Sequence, residues 1–381
     1  MENNSQIPDK IRGCLIGGAA GDALGYEIEF TKEDGIFARY GAGGIQAYAL
    51  NAATGKAVIS DDTQMTLFTA NGILVADTCT ALRGIDTAPR TFMLQAYQDW
   101  LRTQQITFAQ SREEQRARVS WLCDVPELYH CRAPGVTCMS ALSSRQVGED
   151  LDYIRRPLNN SKGCGGVMRV APMGLKRYPY AGIKTIDLEG AQLAAITHSH
   201  SLGYIPAAVL THIISRCVYP ETPMTLLQIV QEARDTVAEL FAGDAHIQEM
   251  TDLIDRAIDL SQNTQNDLPN IHQLGAGWVG EEALAIAVYC ALRYENDFSA
   301  GIIAAVNHSG DSDSTGAVTG NILGARLGLG AIDEKWKTNL ELYDVLLEIA
   351  DDLYNGCRMR APGDFEDPAW RRKYCDMRWK V

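Results

Sequence analysis

A chain of 381 residues, 46% apolar and 22% charged, has the composition of a soluble globular protein and can bury a substantial core. Its formal charge of −14 excludes non-specific binding to nucleic acid or to an anionic membrane, partners that need a basic surface. A nucleotide ligand stays open, because it needs only a suitable pocket. The ten cysteines include no CxxC pair, which reads as reduced, mostly buried thiols rather than a disulfide framework or zinc site. The N-terminal stretch is polar and lacks a signal-like apolar segment, and no apolar run reaches membrane-spanning length. The expectation is a cytoplasmic protein with no membrane partner, monomeric by default.

Residues 9–24 predict a small-residue helix whose glycines and alanines suggest close packing against neighbours. Asp22 interrupts its apolar face, where a carboxylate is costly unless hydrogen-bonded, and is expected to organise the loop that follows. Glu29 lies beyond the helix and is free to reach a reacting centre. Ser60-Asp61-Asp62-Thr63 then opens a second predicted helix over 63–75. A hydroxyl and acidic residues there fit a helix cap, yet two adjacent aspartates exceed what a cap needs. A helix over 91–103 is followed by a polar stretch, 103–120, expected as a solvated surface insertion.

Asn160 to Arg169 carries three glycines, and backbone N–H groups opening a helix there suit an anionic group, with Lys162 and Arg169 beside it. Cys164 within it has no base nearby in sequence and reads as a passive thiol. A helix over 189–199 ends in Thr197-His198-Ser199-His200, where a histidine commonly caps carbonyls. Further helices are predicted over 203–217, 223–241, 245–261, 279–293, 297–306, 314–328 and 338–355. Before 314–328 stands Gly310-Asp311-Ser312-Asp313-Ser314-Thr315-Gly316. A calcium loop would need Glu where Ile322 stands, and a DxDx[TV] phosphatase motif would need a preceding strand. What remains is a turn into a helix, with Asp311, Asp313 and Ser314 projecting toward cations. The tail, 356–381, reads as Arg-rich and irregular. Strand-like alternation is nearly absent, so the fold class is all-α, one compact multi-helical unit over 1–381.

The two acidic clusters form an oxygen-only donor set of the kind Mg²⁺ or Mn²⁺ prefers. If folding joins them, they hold two metals and a reactive water.

In order, GAAGDALG with Glu29-Phe30 after it, SDDT, the glycine loop ending in GVMRVAP, ITHSHSLGY, LGAGWVGEEALAIAVY and HSGDSDSTGAVTGNILGA resemble the ADP-ribosylglycohydrolase family. The resemblance runs from Arg12 to Gly328, most of the chain, and leaves 331–381 as a possible accessory C-terminal helical extension. It implies a compact orthogonal helical bundle around two Mg²⁺, with Mn²⁺ an alternative. Ser60, Asp61, Asp62, Asp311, Asp313 and Ser314 would be the ligands, and Glu29, Asp62 and Asp311 the catalytic carboxylates. Ser161, Lys162, Gly163, Cys164 and Gly165 match the loop around the ADP-ribose diphosphate, His198 a residue lining the cleft, and Trp278 one near the adenine. Many relatives carry Asn where this chain has Cys164, so an amide contact to ligand is lost. The implied activity is hydrolysis of the C1″ N- or O-glycosidic bond of an ADP-ribosylated protein or ADP-ribose conjugate. Arginine is the favoured acceptor only because the family's bacterial prototypes act on it. The competing reading is a non-catalytic ADP-ribose-binding or structural relative; the retained set of ligand types argues for the enzyme.

Overall fold

The computed structural model describes residues 6–114, 116–148, 151–177, 181–360, 363 and 365–376. The first five residues of the polar N-terminal stretch and the last five of the tail lie outside the described residues. Among the described residues there are α-helices, short 3₁₀ turns and no β-strand, as the missing alternation predicts. The first part of the chain supplies α1 (Ile7–Tyr26), α2 (Glu33–Tyr40), α3 (Asp61–Arg83), α4 (Arg90–Gln105), α5 (Phe108–Glu113) and α6 (Val136–Ser144). The middle supplies α7 (Pro172–Leu175), α8 (Ile183–Ala195), α9 (Ser201–Val218), α10 (Leu226–Leu240), α11 (Ile247–Ser261) and α12 (Asp267–Ile271). Then come α13 (Gly280–Arg293), α14 (Phe298–Val306), α15 (Ser312–Leu327), α16 (Glu334–Lys337), α17 (Tyr343–Asn355) and α18 (Pro368–Tyr374).

The centre of the bundle is α1 lying antiparallel on α15, and small residues are the reason. Gly13, Gly17, Gly21 and Gly25 recur every fourth position and so share one face of α1. They meet Gly324, Gly320, Gly316 and Ser312 of α15, backbone against backbone, and a β-carbon on any of these glycines would overlap the partner's main chain. The close packing expected of this helix is therefore found, with the partner some 300 residues away in sequence, as Asn321 Nδ2 to the Cys14 carbonyl illustrates (2.9 Å, separation 307). The antiparallel pairing sets the end of α1 beside the start of α15.

Helix boundaries differ from the sequence expectations where caps intervene. Instead of 189–199, α8 starts after Gly182 and stops at Ala195, so Thr197 to Ser199 lie beyond the helix and His200 caps the start of α9 by accepting from Leu202 N–H (3.1 Å) rather than capping carbonyls. α10 begins at Leu226, directly after its N-cap Thr225, which forms a capping box with Gln228 in the first turn. The stretch 103–120 is not wholly solvated: α5 forms within it, and Asp99 accepts from Val119 and Ser120 N–H at 2.8 and 3.1 Å. Nor is the tail wholly irregular. α18 opens on Asp367 and Pro368 and docks Trp370 against α3, its Nε1 donating to Thr78 Oγ1 at 2.8 Å. Among the described residues two helices, α3 and α9, are long and apolar enough to cross a membrane by length and composition, contrary to the sequence reading; 78% and 94% of their most apolar windows are buried inside the bundle.

Candidate active site

Two acidic helix starts and the end of α1 meet in one place. Asp22, fully buried on α1, accepts from Ser60 N–H with both oxygens (3.0 and 3.1 Å), from Thr63 N–H (3.1 Å) and from the Thr63 hydroxyl. It fixes the start of α3, a farther-reaching role than organising its own loop. Ser60 Oγ caps α3 by accepting from Asp62 N–H at 3.2 Å, and Asp311 caps α15 by accepting from Ser314 N–H at 3.3 Å. Capping and convergence are thus served by the same residues. The Ser314 hydroxyl donates to Asp62 Oδ2 at 2.8 Å, a direct join between clusters 252 residues apart. Oxygens of Glu29, Asp311 and Asp313 lie within 4.8 Å of one another.

These groups open into a cavity of about 340 Å³ lined by Glu29, Asp61, Asp62, Asp311, Asp313 and Ser314 together with Gly163, Cys164, Gly165, His198 and Trp278. Among the described residues, no lysine or arginine lines it. Burial, then the neighbouring Asp311, Asp61 and Asp22, pushes Glu29 up to about 8. Burial likewise raises Asp22 to about 6 and holds Asp61, Asp62 and Asp313 well above the usual carboxylate range, with the other carboxylates adding to it. Such a set either holds protons or exchanges them for cations. The donors are hard oxygens, and Glu29 Oε2 is buried without a hydrogen-bond partner, so the residues present fit Mg²⁺ or Mn²⁺.

The wall opposite is the glycine loop. An isolated antiparallel bridge pairs Gly163 with Val279, with Cys164 N–H donating to the Trp278 carbonyl (3.2 Å) and Gly280 N–H to that of Lys162 (2.8 Å). The N–H groups of Gly163 and Cys164 are committed to Ser161 Oγ and the Trp278 carbonyl, which removes them from the expected anion nest. The Cys164 thiol donates to Asp311 Oδ2 at 2.8 Å, and burial raises its pKa, consistent with a passive thiol. His198 hydrogen-bonds Thr197 Oγ1 through Nδ1 (2.8 Å); burial, with Arg169 nearby, lowers it to about 3, so the ring is neutral.

Three expected residues lie behind the cavity wall. Ser60 is fully buried as a cap, Ser161 Oγ sits 3.3 Å from Thr137 Oγ1, and the Lys162 ammonium pairs with Glu281 in a separate recess. Arg169 is also turned away from any ligand: buried, it donates to the Gly165 carbonyl (2.5 Å) and Thr197 Oγ1 (2.7 Å) and lies over the Tyr97 ring.

Other lining residues were given no site role from sequence. Phe30, 75% exposed, stacks on Trp278 with ring centroids 6.1 Å apart, and with Val136 makes an exposed apolar rim. The segment Ala133-Pro134-Gly135 lines the cavity too. Its Gly135 N–H donates to Asp61 Oδ2 (3.3 Å), while Asp61 N–H donates to the Arg132 carbonyl (3.1 Å). The Pro-Gly pair signals a turn; nothing in its spacing says which distant aspartate it meets.

The profile of a family described as ADP-ribosylglycohydrolase matches residues 3–363. The human protein named ADP-ribosylhydrolase ARH3 is 25% identical over 246 residues, 58% of this chain and 65% of that protein's own length. An uncharacterized protein of Archaeoglobus fulgidus is 24% identical over 354 residues, covering 91% of this chain and 97% of its own. A solved structure titled ADP-ribosylglycohydrolase-related protein complex superposes with a TM-score of 0.59 at 21% identity, covering 92% of this chain and 99% of its own, a likeness of fold.

Proposed function

This chain belongs to the ADP-ribosylglycohydrolase family, and from that premise we propose that it removes ADP-ribose from modified protein side chains by hydrolysing the C1″ glycosidic bond, with two divalent cations in the acidic cavity. The observation that carries the reading is the join of the clusters: Asp62 bonded to Ser314, beside Glu29, Asp311 and Asp313 with oxygens within 4.8 Å. Asp61, Asp62, Asp311, Asp313 and the Ser314 hydroxyl would hold Mg²⁺ or Mn²⁺, which supply charge to orient ribose hydroxyls and to acidify water.

The chain's own residues do the rest. Cleavage breaks the bond from C1″ to the acceptor nitrogen or oxygen and forms a bond from C1″ to a water oxygen, through an oxocarbenium-like state. One proton leaves the water and one reaches the departing group. Glu29, held near 8 and with Oε2 unpartnered, is suited to carry that proton near neutral pH. The neutral His198 and the glycine loop form the wall for the diphosphate, and Trp278 with Phe30 offers an apolar face to the adenine. That the site draws on residues from 22 to 314 supports reading the chain as one domain.

Peptides carrying ADP-ribosyl-arginine or ADP-ribosyl-serine, incubated with Mg²⁺, with Mn²⁺ and with chelator, test the proposal. ADP-ribose release from at least one peptide only when cation is present is the expected result, with arginine the favoured linkage. Release that persists undiminished in chelator, or none from either peptide with both cations, contradicts it.

A further inference from the structure

The described residues include three non-glycine residues with left-handed backbone: Ala133 (φ 52°), Asn339 (φ 64°) and Leu342 (φ 58°). Such conformations persist only where the surroundings over-determine them, and they gather at functional sites. All three lie in two segments that meet beside the start of α3.

One side chain joins those segments. Glu341, 6% exposed, stands between Asn339 and Leu342. Its Oε1 accepts from Arg132 Nη2 at 3.4 Å and its Oε2 from Ile59 N–H at 3.3 Å. The backbone reinforces the contact through an isolated parallel bridge, in which Ala57 N–H donates to the Asn339 carbonyl (2.8 Å) and Glu341 N–H to the Ala57 carbonyl (3.0 Å). Residues 57–59 run directly into Ser60-Asp61-Asp62. On the other side, Arg132 and Gly135 hold the Asp61 main chain and carboxylate, as described above. Glu341 itself does not line the cavity.

We propose that Glu341 is a positioning residue for the cation site, fixing the Asp61 carboxylate from behind by clamping Ile59 on one side and Arg132 on the other. The proposal rests on reading the cavity as a divalent-cation site. It gives the segment after α16 a task at the active centre: a strut under one ligand cluster. Groups that orient metal ligands typically alter metal affinity by about 10- to 100-fold when replaced, whereas a side chain that only holds the fold together alters melting and leaves the affinity of the folded protein unchanged.

The test uses the full chain and reads Mn²⁺ affinity by calorimetry beside the melting temperature in chelator. Glu341→Gln keeps the shape and an acceptor for Ile59 but loses the ion pair with Arg132; its Mn²⁺ affinity should fall about 10- to 100-fold in a protein that remains folded. Arg132→Gln leaves the backbone carbonyl that receives Asp61 N–H and should weaken Mn²⁺ in the same direction, so it decides the matter if Glu341→Gln does not fold. Folded variants that bind Mn²⁺ as tightly as the parent overturn the proposal. Asp61→Asn separates the premise: if it binds Mn²⁺ like the parent, the cation site itself has been misread.

Discussion

Replacing Gly316 by alanine probes the contact on which the whole site is mounted. A β-carbon there would lie 2.5 Å from the Gly21 carbonyl oxygen, 2.7 Å from Val306 Cγ1 and 2.8 Å from the Gly21 carbonyl carbon. An unstrained carbon–oxygen contact needs about 3.3 Å, so α1 and α15 must part by roughly 0.8 Å. The obstacle is main chain packed against further glycines, which no rotamer change relieves. Overpacking of this kind costs about 1–3 kcal/mol. Parting the helices also forfeits about a quarter to a half of the dispersion energy along the stripe, about 1 kcal/mol more. Helix propensity returns about 1 kcal/mol for glycine to alanine. The net expectation is a loss of about 1–3 kcal/mol, read as a lower urea midpoint with an unchanged slope. Gly35→Ala is the control: on the exposed α2, its nearest neighbour is a Thr31 methyl at 3.0 Å, and it should gain up to about 1 kcal/mol. A Gly316→Ala protein as stable as the parent would refute the backbone-contact argument.

Other consequences concern charge and the cavity wall. With cations chelated, Glu29 keeps a proton up to about pH 8 that the unfolded chain loses near 4.5, and Asp22 one up to about 6. A raised folded pKa contributes stability that is complete below the unfolded value and lost as pH climbs through the folded one. Melting in chelator should therefore fall from pH 6 to pH 8, Mn²⁺ should remove that slope, and binding at pH 7 should release protons; melting that rises with pH over this window contradicts the assignment. Asp313→Asn relieves like-charge crowding, so it should melt higher than the parent in chelator yet lose at least about 100-fold in turnover. Cys164→Ser can still donate to Asp311 and should retain most activity; a loss of about 100-fold or more, the scale for removing a group that transfers a proton or reacts, would make the thiol a participant. Trp278→Ala removes a half-exposed ring, so stability should change by less than about 1 kcal/mol, while KM rises and kcat holds.

Much of this was legible in residue pattern. The glycines and alanines of α1 announce close packing, the adjacent aspartates after Ser60 exceed a cap's needs, and Asp311 and Asp313 read as a turn projecting ligands into a helix. The structure shows why the capping and ligand readings need not compete: Ser60 and Asp311 both cap, and in doing so hold the neighbouring carboxylates in place. Side-chain direction was not legible. Lys162 and Arg169 flank the glycine loop in sequence, but one turns to Glu281 and the other to carbonyls beneath the loop. A short irregular segment has no periodicity to fix where its side chains point. The helix at 368–374 was in principle readable, since Asp367 followed by Pro368 is a start signal, but the surrounding arginines, glycine and prolines masked it. The strut formed by Glu341 joins positions 209 apart in sequence, and no local pattern records such a contact.

Crystals of the protein grown with Mn²⁺, measured for anomalous scattering at the manganese edge, test the central claim most directly. The account predicts manganese inside the cavity, between the Asp61–Asp62 carboxylates of α3 and those of Asp311 and Asp313 at the start of α15. Manganese ordered only elsewhere, or a cavity that stays free of it at saturating concentration, would contradict the account.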